Sequence, residues 1–141
     1  MTMVFWDYPK LPVAFLNDEH QTFISLMNDA EQALTLGNFS EQHFKRLVQH
    51  CQEHFAHEER EMQVTEFPDF AAHKKQHDSV LERMFGLLEE YQLNRDITPL
   101  LEYVQDDLPD WFGQHIVTLD KAMAQHLLGA TKRARKVKSP G

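Results

Sequence analysis

The chain has a single cysteine, Cys51, among its 141 residues. One thiol excludes an internal disulfide and a thiolate cage for a metal. It leaves Cys51 as a small apolar filler on a helix. No stretch is apolar enough to cross a bilayer. The N-terminal MTMVFWDYPK is neither basic nor followed by a long apolar run, so it is not a secretory signal, and a cytoplasmic protein is expected. Positive charge is scarce: 14 Lys and Arg stand against 22 Asp and Glu, a formal net charge of −8. That balance argues against general nucleic-acid binding. Internal repeats and low-complexity tracts are missing too.

What is present is enough apolar and aromatic material, including ten Phe, for one domain with a packed interior. Residues 1–17 hold Pro9 and Pro12 and lack a period, so they read as an extended arm. A first helix is expected from about 18 to 36, ending at Gly37, with Phe23, Ile24, Met27, Ala30 and Leu34 on its apolar face. Ser40 can cap a second helix to about 64, with a stripe of Phe44, Leu47, Val48, Cys51, Phe55 and Met62. Pro68 breaks the chain, and Asp69 can cap a third helix to about 91. Its buried side is expected to be Phe70, Val80, Leu81, Met84, Leu88 and Tyr91. Thr98 followed by Pro99 opens a fourth, which Pro109 should kink or interrupt and Gly129 can end. The remaining 130–141 form a short basic tail, read as a solvated, frayed terminus. The fold class expected is all-α: an antiparallel up-down-up-down four-helix bundle, 18–129, with an extended N-terminal arm.

Alternating direction carries His20, His54, Glu58, His73, His77, His115 and Asp120 to one end of that bundle. Imidazole with carboxylate suits mid-row transition metals, and a set this large has room for two ions. His54 and Glu58 are four apart, as are His73 and His77, so each pair projects from one helix face. That face is the apolar one: Glu58 lies among Cys51, Phe55 and Met62. A carboxylate buried there needs a proton, a cation or a metal. A hydrogen-bonded polar core would account for any one of these residues; for seven that converge, a metal site is the better account. The spacing also excludes competitors. There is no H-E-x-x-H for a helical zinc protease, and no Glu has a His three residues later, as carboxylate-rich di-iron oxidases require. His43, His50 and His57 recur every seven residues beside the stripe and read as a solvated flank. His126 lies eleven residues past His115, about 16 Å along a helix, too far for the same cluster. Asp120 fits least well, since five residues after His115 an ideal helix points it elsewhere; a local distortion would reconcile the two.

The stretch HFAHEEREMQVTEFPDFAAHKKQH, from His54 to His77, resembles the hemerythrins, and their bacterial branch (bacteriohemerythrin) in particular. That family shows H-F-x-x-E-E, then H-x-x-x-H, then H-I-x-x-x-D. These correspond to His54–Glu59, His73–His77 and the HIVTLD from His115 to Asp120. NDEHQTF around His20 and the tryptophan in WFGQHI are similar as well, and the likeness runs from about residue 4 to 128. The chain departs from the pattern at Ala14, where a glycine is common, at Asn17, where aspartate is usual, and at Met123, where tyrosine is frequent. The last change alters the polarity of the pocket.

The resemblance implies two non-haem iron ions (Fe2+/Fe3+) with an oxo or hydroxo bridge. His73, His77 and His115 would hold one and His20 and His54 the other, with Glu58 and Asp120 spanning both. One position stays open on the iron with two histidines. Hemerythrins bind dioxygen there, which implies oxygen transport, storage or delivery to an oxygen-using enzyme, by a monomer that is not itself an enzyme. Alternatives on the same scaffold are a di-iron enzyme consuming peroxide or nitric oxide, an oxygen or iron sensor, or an iron store. Reversible binding needs dry walls, for which Phe23, Phe55, Met62, Trp111, Leu119 and Met123 are the candidates.

Overall fold

The computed structural model describes residues 8–138, the last five by their backbone alone. Residues 1–7 of the expected arm and 139–141 of the expected tail lie outside the described residues. Four rods make up the fold. The first three are α1 (Ala14–Leu36), α2 (Glu41–Val64) and α3 (Phe70–Asn94). The fourth is composite: α4 (Thr98–Glu102), a π-helical turn (Tyr103–Asp107), α5 (Leu108–His115), a second π-helical turn (Ile116–Asp120) and α6 (Lys121–Lys138). The described residues contain no strand, and no helix among them is long and apolar enough to cross a membrane.

The rods alternate in direction. Glu41, at the start of α2, accepts Arg95 Nη1 at 2.8 Å and Gln92 Nε2 at 3.3 Å from the end of α3. At the opposite pole, His126 of α6 donates to the carbonyl of Thr65, just past α2, at 2.8 Å. This is the antiparallel four-helix bundle that the apolar periodicity requires.

Helix ends follow local chemistry. Gly37 stops α1 at φ 77°, a left-handed conformation in which glycine meets no Cβ penalty. Ser40 precedes α2, and its backbone N–H donates to His43 Nδ1 at 3.1 Å. His43 is therefore a capping residue, where the sequence pattern suggested a solvated flank. Asp69 stands at the cap position of α3 without a side-chain capping bond.

Three helix boundaries differ from the sequence expectation: α3 runs to Asn94 rather than about 91, and two others shift further. α1 starts at Ala14 rather than near 18, because Pro12 lies just outside and Asn17 secures the first turn. Asn17 Oδ1 accepts the Leu11 N–H at 2.8 Å, and Asn17 Nδ2 donates to the Leu11 carbonyl at 2.7 Å. An aspartate could make only the first of these bonds, which gives the asparagine here a physical reason. At the other end, α6 runs through Gly129 to Lys138. One glycine costs about 1 kcal/mol in a helix, and the helix-forming Ala130, Lys132 and Arg133 that follow outweigh it.

The interior is divided along the bundle axis. Towards the α2 start it is apolar: Leu34, Phe44, Leu47, Met84, Leu87, Leu100 and Val104 are all buried. Towards the α2 end, seven of the eight buried polar residues among the described residues are the histidines and carboxylates singled out by the sequence. Phe70, Leu81, Leu88 and Tyr91, expected on the buried side of α3, are only half-buried.

Candidate metal centre

Every rod contributes to the polar layer. His20 comes from α1, His54 and Glu58 from α2, His73 and His77 from α3, His115 from α5 and Asp120 from the second π turn. On a straight α-helix five residues turn through about 500°, which would leave Asp120 about 140° from His115. The π turn removes that mismatch. Lys121 N–H bonds back five residues to the Ile116 carbonyl, and the wider winding returns Asp120 to the inner face, with Oδ1 3.0 Å from His115 Nε2. The first π turn answers a different constraint. Pro109 has no N–H and its ring would strike the carbonyl four residues back. Leu108 N–H reaches Tyr103 instead, five residues back, and the rod continues without a break.

The two carboxylates are arranged alike. Glu58 Oε1 lies 3.2 Å from His73 Nε2 and 3.1 Å from His77 Nε2, while Oε2 lies 2.6 Å from His54 Nε2 and 4.0 Å from His20 Nε2. Asp120 Oδ1 lies 3.1 Å from His73 Nε2 and 3.0 Å from His115 Nε2, while Oδ2 lies 3.1 Å from His20 Nε2. Each carboxylate thus turns one oxygen to a three-histidine group and the other to a two-histidine group. Close as they are, His20 Nε2, both Glu58 oxygens, both Asp120 oxygens and the Nε2 atoms of His73, His77 and His115 make no hydrogen bond. Buried polar atoms are seldom left so. Together with His54, the residues that carry them fall into two sets suited to a metal ion, Glu58 with His73, His77, His115 and Asp120, and Glu58 with His20 and His54. Donors held about 2.1 Å from a mid-row ion at right angles lie about 3 Å apart, and five of the seven separations given above lie between 3.0 and 3.2 Å. The residues present therefore fit two such ions.

The electrostatics agree. Burial opposes ionisation of Glu58, yet the charge and close nitrogens of His54, His73 and His77 hold its carboxyl well below the usual range. Burial and the neighbouring Glu58 charge likewise oppose ionisation of Asp120, and His115 and His20 hold it low. The imidazoles carry the counter-charge. His54 is disfavoured as a cation by burial, but Glu58 and Glu19 raise it to about 10. His73 is raised to about 9 by Asp120 and Glu58 against the same burial penalty. His115 moves the other way, pushed down by burial. Two buried anions kept ionised in this way form a cation site, in which a metal would take the place of protons.

Behind the histidines stand three residues that the sequence pattern did not single out. Glu19 Oε1 accepts His54 Nδ1 at 2.8 Å, Glu59 Oε2 accepts His77 Nδ1 at 2.9 Å, and Gln76 Oε1 accepts His115 Nδ1 at 3.0 Å. Each fixes the ring tautomer so that Nε2 faces the layer. Each also neighbours a layer residue by one position, about 100° round its own helix, and so reaches the next rod: α1 to α2, α2 to α3, α3 to α5. That adjacency is the signal by which they could have been found. His50 and His57, expected to face solvent, belong to this support. His50 Nε2 donates to the Glu19 carbonyl at 2.9 Å, and His57 Nδ1 to Glu19 Oε2 at 2.7 Å. His126 stays out of the layer, as its distance along the helix requires.

The six residues expected to wall the layer differ in burial. Phe23, Phe55, Met62 and Met123 are buried, whereas Trp111 and Leu119 are half-buried. Phe55 stacks on His77 with ring centroids 3.9 Å apart, and Trp111 on His115 at 4.4 Å. Phe112 was not anticipated. It meets His20 edge-on at 5.2 Å and Phe23 at 4.7 Å.

Comparison with known proteins agrees with this construction. The hemerythrin HHE cation-binding domain family matches residues 11–127. A bacteriohemerythrin of Methylococcus capsulatus is 31% identical over 116 residues, spanning 77% of this chain and 83% of that protein. A myohemerythrin of Sipunculus nudus is 28% identical over 118 residues, spanning 78% and 91% respectively. A crystal structure of a hemerythrin leucine-to-tyrosine mutant superposes with a TM-score of 0.79 at 26% identity, over 90% of this chain and 96% of the other.

Proposed function

This chain belongs to the hemerythrin family, and from that membership we propose that its buried layer holds two non-haem iron ions and binds dioxygen reversibly. On this reading His73, His77 and His115 hold one ion, His20 and His54 the other, and Glu58 and Asp120 span both. The observation that carries it is the division of each carboxylate, one oxygen towards the group of His73, His77 and His115 and the other towards the group of His20 and His54. A lone ion would not need that symmetry, and the unequal groups leave the two-histidine ion with room for a small ligand.

When bound, the iron pair supplies the electrons that dioxygen capture borrows and release returns. The chain's own side chains do the rest. Glu19, Glu59 and Gln76 hold the rings in the right tautomer. Phe23, Phe55, Phe112 and Met123 keep bulk water from the layer, and Met123 offers no hydroxyl to the bound ligand. The role we assign is oxygen transport, storage or delivery to an oxygen-using enzyme within the cytoplasm, by a monomer that does not itself transform a substrate.

Stopped-flow spectroscopy of the iron-loaded protein tests this. The reduced form should give a coloured oxygen adduct that bleaches under vacuum and returns on re-aeration, with two irons per chain. Rapid catalytic loss of peroxide or nitric oxide without a reversible adduct would replace carriage with an enzyme.

A further inference from the structure

Among the three residues that stand behind the histidines, Glu19 alone accepts an imidazole N–H on each of its carboxylate oxygens; Glu59 meets one imidazole through Oε2, and its Oε1 lies 4.0 Å from Lys74 Nζ. Glu19 Oε1 receives the Nδ1–H of His54 and Oε2 the Nδ1–H of His57. His57 remains 31% exposed and stacks on Phe15, with ring centroids 4.0 Å apart. Glu59 has no second imidazole, and Gln76 carries no charge.

A carboxylate that accepts an imidazole N–H makes that ring a stronger electron donor through its other nitrogen. A second N–H on the same carboxylate draws off part of that effect. We propose that Glu19 is a positioning residue that sets how strongly His54 donates to the metal layer, and that His57 moderates it by competing for the same carboxylate. The inference rests on the di-iron reading above and adds a direction to it. Of the two histidines assigned to the ion with the open position, one is backed by a carboxylate. Of the three on the other ion, only His77 is. Glu19 therefore acts where the oxygen ligand would sit.

The two partners must then act with opposite sign. Glu19→Gln keeps a hydrogen-bond acceptor but removes the charge. It should retain two irons, raise the midpoint potential measured by spectroelectrochemistry, and speed dioxygen release about tenfold. His57→Phe keeps an aromatic ring against Phe15 but frees Oε2. It should lower the potential and slow release. A Glu19→Gln protein with unchanged potential overturns the proposal, as do shifts of the same sign in both variants, which would signal general loosening. Should Glu19→Gln fail to load metal, His57→Phe decides alone: a lowered potential supports the proposal, and an unchanged or raised one sinks it. Nitrogen-15 NMR of zinc-loaded protein separates this from the function assigned above. If the wild type takes up no iron, the di-iron reading fails. The Nδ1–H of His54 should still lose its strong hydrogen-bond shift in Glu19→Gln, and an unaltered shift would remove Glu19 from any role.

Discussion

Glu58 shows how much one side chain can settle. It is fully buried in the apolar stripe of α2, ionised, and in reach of four histidines from three rods. Glu58→Gln keeps the volume and removes the charge, so iron should bind at least about tenfold more weakly, with fewer than two irons per chain and an altered adduct spectrum. Metal analysis of the purified variant checks this, and unchanged content would remove Glu58 from the assigned ligand set. The inner histidines and carboxylates were legible at this scale because a charge in an apolar stripe has few explanations. The residues behind them were not. A glutamate or glutamine on a helix flank looks like any solvated side chain, and only the neighbouring rod gives Glu19, Glu59 and Gln76 their imidazoles. For the same reason His50 and His57, to one side of the stripe, looked like a solvated flank until α1 was seen to close over them.

Among the elements, the second π turn is the one that most shapes the site. Its five-residue spacing accommodates what amounts to one extra residue between His115 and Asp120. Removing the half-exposed Val117 should convert the turn to ordinary α-helix, with the carboxylate four residues from the histidine and still on the inner face. Met123, Ala124 and Leu127, which follow, would keep their buried register. The shortened protein should hold two irons and lose about 1 kcal/mol or less of stability. An alanine inserted after Val117 should instead rotate Asp120 by about a further 100° and cost at least one iron. Metal analysis of the two variants tests the pair, and a shortened chain that loads no metal would show that the π geometry itself is required. The four rods and their order were readable from Gly37, Ser40, Pro68 and Pro99. That the interruption expected at Pro109 would take the form of a π turn was not, because the choice depends on packing against the other three. α6 likewise overran Gly129, since a glycine permits a helix end without imposing one.

Over the whole molecule the two ends of the interior have different sources of stability. The apolar end needs no metal, whereas the polar end places two ionised carboxylates out of water. Metal at about 100 times its dissociation constant would add about 2.7 kcal/mol, so chelation should lower the melting midpoint by roughly 10 °C. Hydrogen exchange should localise that loss. Amides around His54–Met62, His73–His77 and the second π turn should exchange faster after chelation, while those around Phe44–Val48, Met84–Leu87 and Leu100–Val104 stay protected. Uniform deprotection along all four rods would contradict the division. The relay of α1 behind α2, α2 behind α3 and α3 behind α5 has a consequence for assembly. His54, His77 and His115 each take their final bearing from a neighbour on another rod, so the nest for the cations is complete only once every rod has docked. On the di-iron reading, capture of iron would then certify finished folding, and a chain cut between α2 and α3 would part His77 from Glu59, which aims it.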